Sequence, residues 1–124
     1  MNVLIVDDDT ALLDTIVDTV RSWGHRADGA ATGQDALQKV ENRYFDLIVC
    51  DVFLPDVSGH LLISKIKKRW PESRFISMTG YNTRDLEKEV RREGVMFHMI
   101  KPFDMKQLCS IINHMSKKKL PDIQ

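Results

Sequence analysis

Short apolar runs alternate along this chain with stretches in which apolar residues recur every three or four positions. The five runs lie at residues 2–6, 25–29, 46–50, 74–78 and 95–100. Runs of this length are typical of strands buried on both faces of a parallel sheet, and the intervening periodicity is typical of amphipathic helices. The second run is short and mixed, which indicates a weak edge strand. Strands that alternate with helices through short connections predict a parallel sheet with helices on both faces.

For a sheet of five strands the common doubly wound order is 2-1-3-4-5, the order of flavodoxin-like α/β folds. We therefore predict an α/β/α sandwich with five helices. This order places strands 1 and 3 side by side at the point beyond which open α/β sheets bind ligands. The 124 residues are enough for one such domain, which we expect over residues 1–116, followed by a frayed tail or linker stub over 117–124.

Helix boundaries are indicated by capping residues and by breaks in the apolar periodicity. Thr32, with an acid three positions later, indicates the start of helix 2, and Asn82 or Thr83 is the candidate cap of helix 4. The apolar stripes of helices 1 and 3 extend to Trp23 and Trp70. Helix 4 offers only two apolar positions, so we expect it to be loosely held.

Composition limits the classes of partner. Eighteen basic residues balance eighteen acidic ones, which argues against nucleic acid or an anionic membrane as the main partner. Cys50 and Cys109 lie too far apart for a metal motif, and both are expected to be buried thiols in a reducing compartment. The sequence shows no signal peptide and no apolar run long enough to span a membrane. We therefore expect a cytoplasmic protein.

Four predicted strands are each followed by side chains that can bind an ion or a phosphate. Strand 1 ends in three aspartates at 7–9, strand 3 in Asp51, strand 4 in Thr79 and strand 5 in Lys101. The predicted order brings these ends to one rim of the sheet. Converging carboxylates repel each other unless a cation joins them, and Mg²⁺ suits such oxygen ligands. A hydroxyl and a lysine nearby suit phosphoryl oxygens, and Asp51 would be the nucleophile that forms an acyl phosphate.

Each of these residues also has an ordinary structural interpretation. An acidic run before a helix is typical of a cap with favourable helix-dipole charge. Aspartate and threonine are common turn residues, and a lysine at a strand end is typically solvated. The occurrence of all four features on the expected strand ends favours the functional interpretation.

The chain resembles, over essentially its full length, the receiver domain of response regulators in two-component signalling. The matching motifs are Val6-Asp7-Asp8 after strand 1, Asp51 after strand 3, Leu54-Pro55 with Gly59 in the following turn, Met78-Thr79-Gly80 after strand 4 and Lys101-Pro102-Phe103 after strand 5. The resemblance implies a phosphorylation-operated switch of a two-component or phosphorelay system, with Asp51 as the phosphoacceptor. It implies a regulatory domain rather than an enzyme, one that catalyses only its own phosphorylation and a slow self-dephosphorylation.

The resemblance also implies a magnesium site. Asp8 and Asp51 would be direct Mg²⁺ ligands, Asp7 would act mainly through a water molecule, and the backbone carbonyl of Phe53 would be a third protein ligand. Asp9 matches no functional position, and we expect it to cap helix 1.

Thr79 and Lys101 would hold the phosphoryl oxygens, and the Lys101–Pro102 bond is expected to be cis, as is common in receivers. Thr79 is also expected to act in the conformational switch. Receivers often carry Tyr or Phe three residues before the lysine, as a rotamer switch coupled to the threonine. Here His98 holds that place, and the alternative is that it is a half-exposed strand residue. A histidine there would titrate near neutral pH.

The mouth of the predicted site carries two aromatic residues. Phe53 lies two positions after Asp51 and Tyr81 two positions after Thr79, and in receivers these positions influence dephosphorylation. Two bulky rings should hinder an attacking water molecule, which predicts slow self-dephosphorylation.

The partners implied by the resemblance are a sensor histidine kinase or phosphotransfer protein, docking on helix 1, and a downstream effector domain or target protein. The output surface would be helix 4, strand 5 and helix 5, which also allows a homodimer through the same surface. It includes Arg84, Arg91, Arg92, His98 and Lys106.

Two other functions are weighed against the switch. A degenerate receiver would act as a protein-interaction module without phosphorylation, but all five key residues of the family are present. A flavodoxin-like cofactor binder has little support, because the carboxylates after strand 1 would repel a flavin phosphate.

Overall fold

The computed structural model describes residues 1–81 and 83–119, and these residues confirm the predicted fold class. The strands are β1 (Asn2–Val6), β2 (Arg26–Ala30), β3 (Leu47–Asp51), β4 (Arg74–Thr79) and β5 (Phe97–Ile100). They form one parallel sheet in the order β2-β1-β3-β4-β5. The helices are α1 (Thr10–Ser22), α2 (Gly33–Asn42), α3 (Gly59–Arg69), α4 (Arg84–Arg92) and α5 (Met105–Lys119).

The sheet separates two apolar cores. One core joins the sheet to α1 and α5, and includes Ile5, Ile16, Val49, Met78 and Ile112. The other joins it to α2 and α3, and includes Leu4, Val40, Ile48, Ile63 and Phe75. All five residues of β3 are buried, because this strand lies in the middle of the sheet. The backbone that carries Asp51 is therefore packed on both faces.

The strand ends differ slightly from the predicted ones. β3 includes Asp51, which pairs with Met78, and the ladder continues one step further through the hydrogen bond from Val52 N to Met78 O (3.0 Å). β4 likewise includes Thr79, whereas β5 begins at Phe97, two residues later than expected. Asp51 and Thr79 are thus held by sheet hydrogen bonds rather than lying in loops.

Side-chain caps begin three helices as the sequence predicts. Asp9 accepts a hydrogen bond from Leu12 N in α1, and Thr32 accepts one from Asp35 N in α2. Thr83 caps α4, and the other candidate, Asn82, lies outside the described residues.

Both tryptophans lie one residue beyond their helices. Trp23 and Trp70, predicted as the last members of apolar helix stripes, are the C-cap residues of α1 and α3. Both still pack against the cores, so the apolar pattern reported burial correctly but placed the helix ends too late.

Three further predictions, on the domain end, the cysteines and membrane spans, can be compared with the described residues. α5 runs to Lys119, three residues past the expected domain end at 116, and residues 120–124 of the predicted tail lie outside the described part. Cys50 is buried as expected, but Cys109 is only half-buried on α5, and both thiols are free. No described helix is both long and apolar enough to cross a bilayer.

Candidate functional site

The carboxyl edge of the sheet brings the predicted residues together around one lysine. Lys101 Nζ donates hydrogen bonds to Asp7 Oδ2 at 2.6 Å and to Asp51 Oδ2 at 2.9 Å. The lysine follows β5, Asp7 follows β1 and Asp51 ends β3, so residues 94 and 50 positions apart in the sequence meet here. The doubly wound order predicted their proximity, but not that one ammonium group would join both carboxylates.

The three carboxylates differ in burial. Asp7 is completely buried and Asp51 is 6% exposed, whereas Asp8 is exposed. One oxygen from each lies within 4.8 Å of the others. Backbone amides fix the two buried groups, since Asp9 N donates to Asp7 Oδ1 (2.9 Å) and Phe53 N donates to Asp51 Oδ1 (3.0 Å).

Three carboxylates facing one ammonium group leave uncompensated negative charge, which is costly in a buried site. Oxygen donors at this spacing, with one exposed member, fit a hard divalent cation such as Mg²⁺, which keeps some of its own waters. The residues of the predicted magnesium site are thus brought together. The carbonyl of Phe53 as a ligand stays a prediction.

Burial and ion pairing perturb both partners of the central pair. Burial raises the pKa of Asp51, although the hydrogen bonds from Lys101 and from the Phe53 amide oppose this rise. Burial disfavours the Lys101 ammonium, but the hydrogen bonds and charges of Asp51 and Asp7 outweigh it and raise the pKa of the lysine. The lysine therefore stays charged at neutral pH, and Asp51 has an oxygen more basic than that of an ordinary aspartate.

The hydroxyl of Thr79 is buried and contacts the turn that follows β4. Its Oγ1 accepts from Tyr81 N at 3.0 Å and donates to Tyr81 O at 3.1 Å. The predicted contact of Thr79 with a phosphoryl group on Asp51 would require the hydroxyl to leave this turn. That role stays a prediction.

Two aromatic rings stand at the mouth of the site, where the sequence analysis expected them. Phe53 is 52% exposed and Tyr81 is 72% exposed, and their ring centroids lie 6.4 Å apart in an edge-to-face arrangement. With Asp51, Gly80 and Lys101 they line an open pocket of about 450 Å³. A small phosphorylated group can enter this pocket. That the two rings slow the attack of water stays a prediction.

The loop after β3 is held tightly against the sheet. Gly59 N donates to Val52 O at 2.7 Å, and a Cβ on Gly59 would lie 2.5 Å from Val52 Cα and 2.8 Å from Asp51 O. Only glycine allows this close approach, which explains the Gly59 that the family resemblance singled out.

Asp56, in the same loop, fastens it to α2. Its two carboxylate oxygens accept hydrogen bonds from Gly33 N and Gln34 N, both at 2.9 Å. These amides hold the charged form and lower the pKa of Asp56. Sequence reasoning predicted Thr32 as the cap of this helix and missed Asp56, because the two segments are more than twenty residues apart.

His98 is half-buried and hydrogen bonded within the sheet. Its Nδ1 lies 2.7 Å from Oγ of Ser77, a completely buried residue of β4. The sequence indicates His98 as a candidate switch residue but gives no sign of Ser77, whose position opposite His98 depends on the register of β4 and β5. The predicted cis peptide bond between Lys101 and Pro102 is confirmed.

Comparison with known proteins gives the same family at the level of sequence. Residues 3–113 match the family model described as the response regulator receiver domain. Similar proteins include the response regulator protein FleR of Pseudomonas aeruginosa (31% identity over 119 residues, 96% of this chain and 25% of FleR). The transcriptional regulatory protein ZraR of Klebsiella oxytoca is 32% identical over 108 residues, which are 87% of this chain and 24% of ZraR. The chain thus spans about a quarter of the length of these relatives.

Solved structures agree with the sequence comparison. A CheY-like response regulator receiver domain protein from Methanospirillum hungatei superposes with a TM-score of 0.90 at 32% identity, over 94% of each chain. The beryllofluoride-activated NtrC4 receiver domain dimer superposes with a TM-score of 0.87 at 29% identity, over 94% of this chain and 97% of that one. Since the family model matches residues 3–113, which reach from β1 into α5 and include the acidic rim, this chain belongs to the response regulator receiver domain family.

Proposed function

We propose that this domain is a switch operated by phosphorylation of Asp51, with phosphohistidine on a sensor kinase or phosphotransfer protein as the donor. The observation that carries the proposal is the contact of Lys101 with Asp7 and Asp51, beside the exposed Asp8, at an open pocket. In this proposal Asp51 is the nucleophile, Lys101 the fixed positive charge, and the carboxylates are the oxygen ligands for a cation.

In the transfer, an Asp51 carboxylate oxygen attacks phosphorus, the phosphorus–nitrogen bond of the donor breaks, and the imidazole leaves with the electron pair and takes up a proton. Lys101 is in contact with the attacking carboxylate and can follow the phosphoryl oxygens as charge moves onto them. Asp7, Asp8 and Asp51 would hold Mg²⁺, which when bound neutralises charge on the transferring group.

An apolar groove beside the site supports docking of the donor on α1. It is lined by Leu12 and Thr15 of α1 and by Pro102, Phe103 and Met105 after β5, and Lys101 lies at its edge. A helix that carries the donor histidine could bury apolar side chains here while its imidazole reaches the pocket over Asp51.

The output is assigned to α4, β5 and α5. Val90 is the one fully buried residue that α4 contributes, so this helix can be displaced at low cost. The solution structure of the activated NtrC4 receiver is a dimer, which supports a homodimer as one form of output. The sequence gives no reason to expect direct binding of nucleic acid, because the charges balance. A cytoplasmic location remains the expectation from the sequence.

The proposal is tested with acetyl phosphate and with beryllofluoride, each in the presence and absence of Mg²⁺. Intact-mass measurement should show one added phosphoryl group that Asp51→Asn abolishes, and beryllofluoride should shift amide signals around β4, α4 and β5. Asp14→Asn removes an exposed aspartate of α1 outside the acidic rim and should behave like the unmodified protein. Absence of both effects would support the unphosphorylated interaction module instead, whereas their persistence in Asp51→Asn would show that Asp51 is not the acceptor.

A further inference from the structure

A small cavity lies at the amino end of the sheet, at the opposite end from Asp51. It has a volume of about 210 Å³, roughly the liquid volume of seven water molecules. Three arginines line it, and they come from three separate parts of the fold: Arg21 from α1, Arg26 from β2 and Arg43 from the C-cap of α2. The cluster is therefore produced by the fold and does not correspond to a charged run in the sequence.

The edge position of β2 explains how these side chains meet. Arg26 and Asp28, two positions apart on the strand, lie on the face that packs on α2 and α3, because Asp28 pairs with the core residue Leu4. Helix α1 lies on the other face, and Arg21 reaches over the edge of the sheet, where its Nε donates to Ala27 O at 3.0 Å. The guanidinium groups thus approach the cavity from both faces of the sheet.

Protein contacts fix two of the three guanidinium groups. Arg21 has its backbone contact, and Arg43 donates to Asp28 Oδ2 at 2.9 Å while its guanidinium carbon lies 4.8 Å from the centroid of the Phe45 ring. A guanidinium group has five N–H donors, so both arginines keep most of theirs after these contacts. Arg26 is exposed and makes no ion pair among the side chains that the structure describes. A ligand would meet donors that are largely ordered in advance, which lowers the entropy cost of binding.

The cavity has an excess of positive charge. Asp28 is the acidic residue among the described residues that line it, so three arginines and one aspartate leave two positive charges. Asp28 is also shared with Lys39, whose Nζ lies 4.0 Å from Oδ1. Asp46, which accepts from Asn2 N at 2.7 Å, lies next to the cavity and reduces the excess without removing it. Like charges around one small cavity repel each other, and a dianion would relieve that repulsion.

We propose that this cavity is a second ligand site, which binds a phosphate dianion, either inorganic phosphate or the phosphate group of a small monoester. Guanidinium forks match phosphate oxygens in pairs. A tetrahedral phosphate presents oxygens in several directions and can meet three forks, whereas a carboxylate is planar and carries a single charge. The volume admits a phosphate with a short substituent and is below the roughly 300 Å³ at which pockets for larger ligands begin. The site does not involve phosphorylation of Asp51, so the two proposals can fail separately.

The experiment is an NMR titration of amide signals with inorganic phosphate, glycerol 3-phosphate and acetate. The buffer is metal-free, so that the carboxylates of the acidic rim repel the added anion, and the ionic strength is held at about 0.1 M. Both phosphates should give saturable shifts in β2, at the end of α1 and at residues 43–45, and acetate should bind at least about tenfold more weakly. Equal affinities for the two phosphates would identify free phosphate as sufficient, and tighter binding of glycerol 3-phosphate would identify a monoester.

Two variants with opposite expected effects test the charge argument. Arg26→Gln should weaken phosphate binding about tenfold, since it removes a charge-assisted contact. Asp28→Asn should tighten binding several-fold, because it removes the acidic lining residue while its side-chain oxygen can still accept from Gly29 N. Arg74→Gln is the matched control: it removes the same charge from the first residue of β4, at the same end of the sheet but outside the cavity, and should bind within about twofold of the wild type.

The inference is wrong if neither phosphate gives saturable shifts around β2 up to about 20 mM, or if Arg26→Gln and the wild type bind with equal affinity. Weaker binding by Asp28→Asn would equally contradict the charge argument. The response to beryllofluoride with Mg²⁺ is measured on the same proteins. Arg26→Gln should keep that response, so a missing phosphate site leaves the proposed function standing, and a missing beryllofluoride response leaves this site standing.

Discussion

Replacement of Lys101 by methionine tests the electrostatics on which the site depends. The ammonium contacts two carboxylates that are almost fully buried, while the lysine itself is 19% exposed. Removal of one partner from a buried ion pair typically costs 3–5 kcal/mol, and the partial exposure of the lysine places this case near the lower end, at about 3 kcal/mol. For a domain of 124 residues this corresponds to a fall in melting temperature of about 10 °C.

The assay is thermal unfolding followed by circular dichroism in a buffer that contains a chelator. Lys106→Met is the control, since Lys106 is an exposed lysine of α5 and makes no ion pair among the residues described; it should melt close to the wild type. The raised pKa of Lys101 also predicts how this stabilisation depends on pH. The stabilisation by Lys101 is fully present below the lysine pKa of the unfolded state, which is about 10.4. It is lost as the pH rises through the higher pKa of the folded state.

Magnesium should then compensate for the missing lysine. A cation at about ten times its Kd stabilises the folded state by about 1.4 kcal/mol. This should raise the melting temperature of the variant by about 5 °C. We expect the variant to gain more from a given Mg²⁺ concentration than the wild type, because no ammonium competes for its carboxylates. A variant that melts within about 2 °C of the wild type in chelator would refute the reasoning, and so would equal stabilisation of both proteins by Mg²⁺.

Three further predictions follow from the loops around the site. Gly59→Ala should lower the free energy of unfolding measured in urea by about 1–3 kcal/mol, since the new Cβ would meet main-chain atoms at 2.5 Å. Gly80→Ala, whose new Cβ would have no contact nearer than 4.0 Å, should change it by less than about 0.5 kcal/mol. Asp56→Asn should destabilise the domain at neutral pH. Because the pKa of Asp56 is lowered, its contribution to stability is present above about pH 4 and disappears as the pH falls through the lowered pKa. The difference in urea midpoint between wild type and variant should therefore disappear in acid. Phe53→Asn with Tyr81→Glu should shorten the lifetime of the phosphorylated protein several-fold in a phosphate-release assay, because the mouth opens to water, and an unchanged lifetime would count against the two rings as a barrier.

The sequence predicted the parts of this molecule that depend on periodicity and on strand ends. Apolar runs report burial directly and so predicted the strands, and the common doubly wound order then predicted the sheet order and the carboxylates at its rim. Caps at Asp9, Thr32 and Thr83 were also predicted, because a cap and its helix are adjacent in the chain.

The missed contacts join residues that are distant in sequence. Asp56 reaches the start of α2 across more than twenty residues, and its sequence context is that of an ordinary turn. Lys101 was assigned to phosphoryl oxygens, whereas in this structure it contacts Asp7 as well as Asp51. Such contacts depend on rotamers and on the closeness of packing, and neither leaves a periodic signal in the sequence.

The position of β4 allows one strand to connect the proposed phosphorylation site with the proposed output surface. It lies between β3, which carries Asp51, and β5, which carries His98. Ser77 and Thr79 alternate along it on one face, and the first contacts His98 while the second closes the turn beside the pocket. A slip of one residue in the β4–β5 register would turn both hydroxyls to the other face of the sheet. Since buried apolar residues of β4 fix that register on both sides of the sheet, the same packing that stabilises the core also keeps Ser77 opposite His98 and Thr79 beside the pocket.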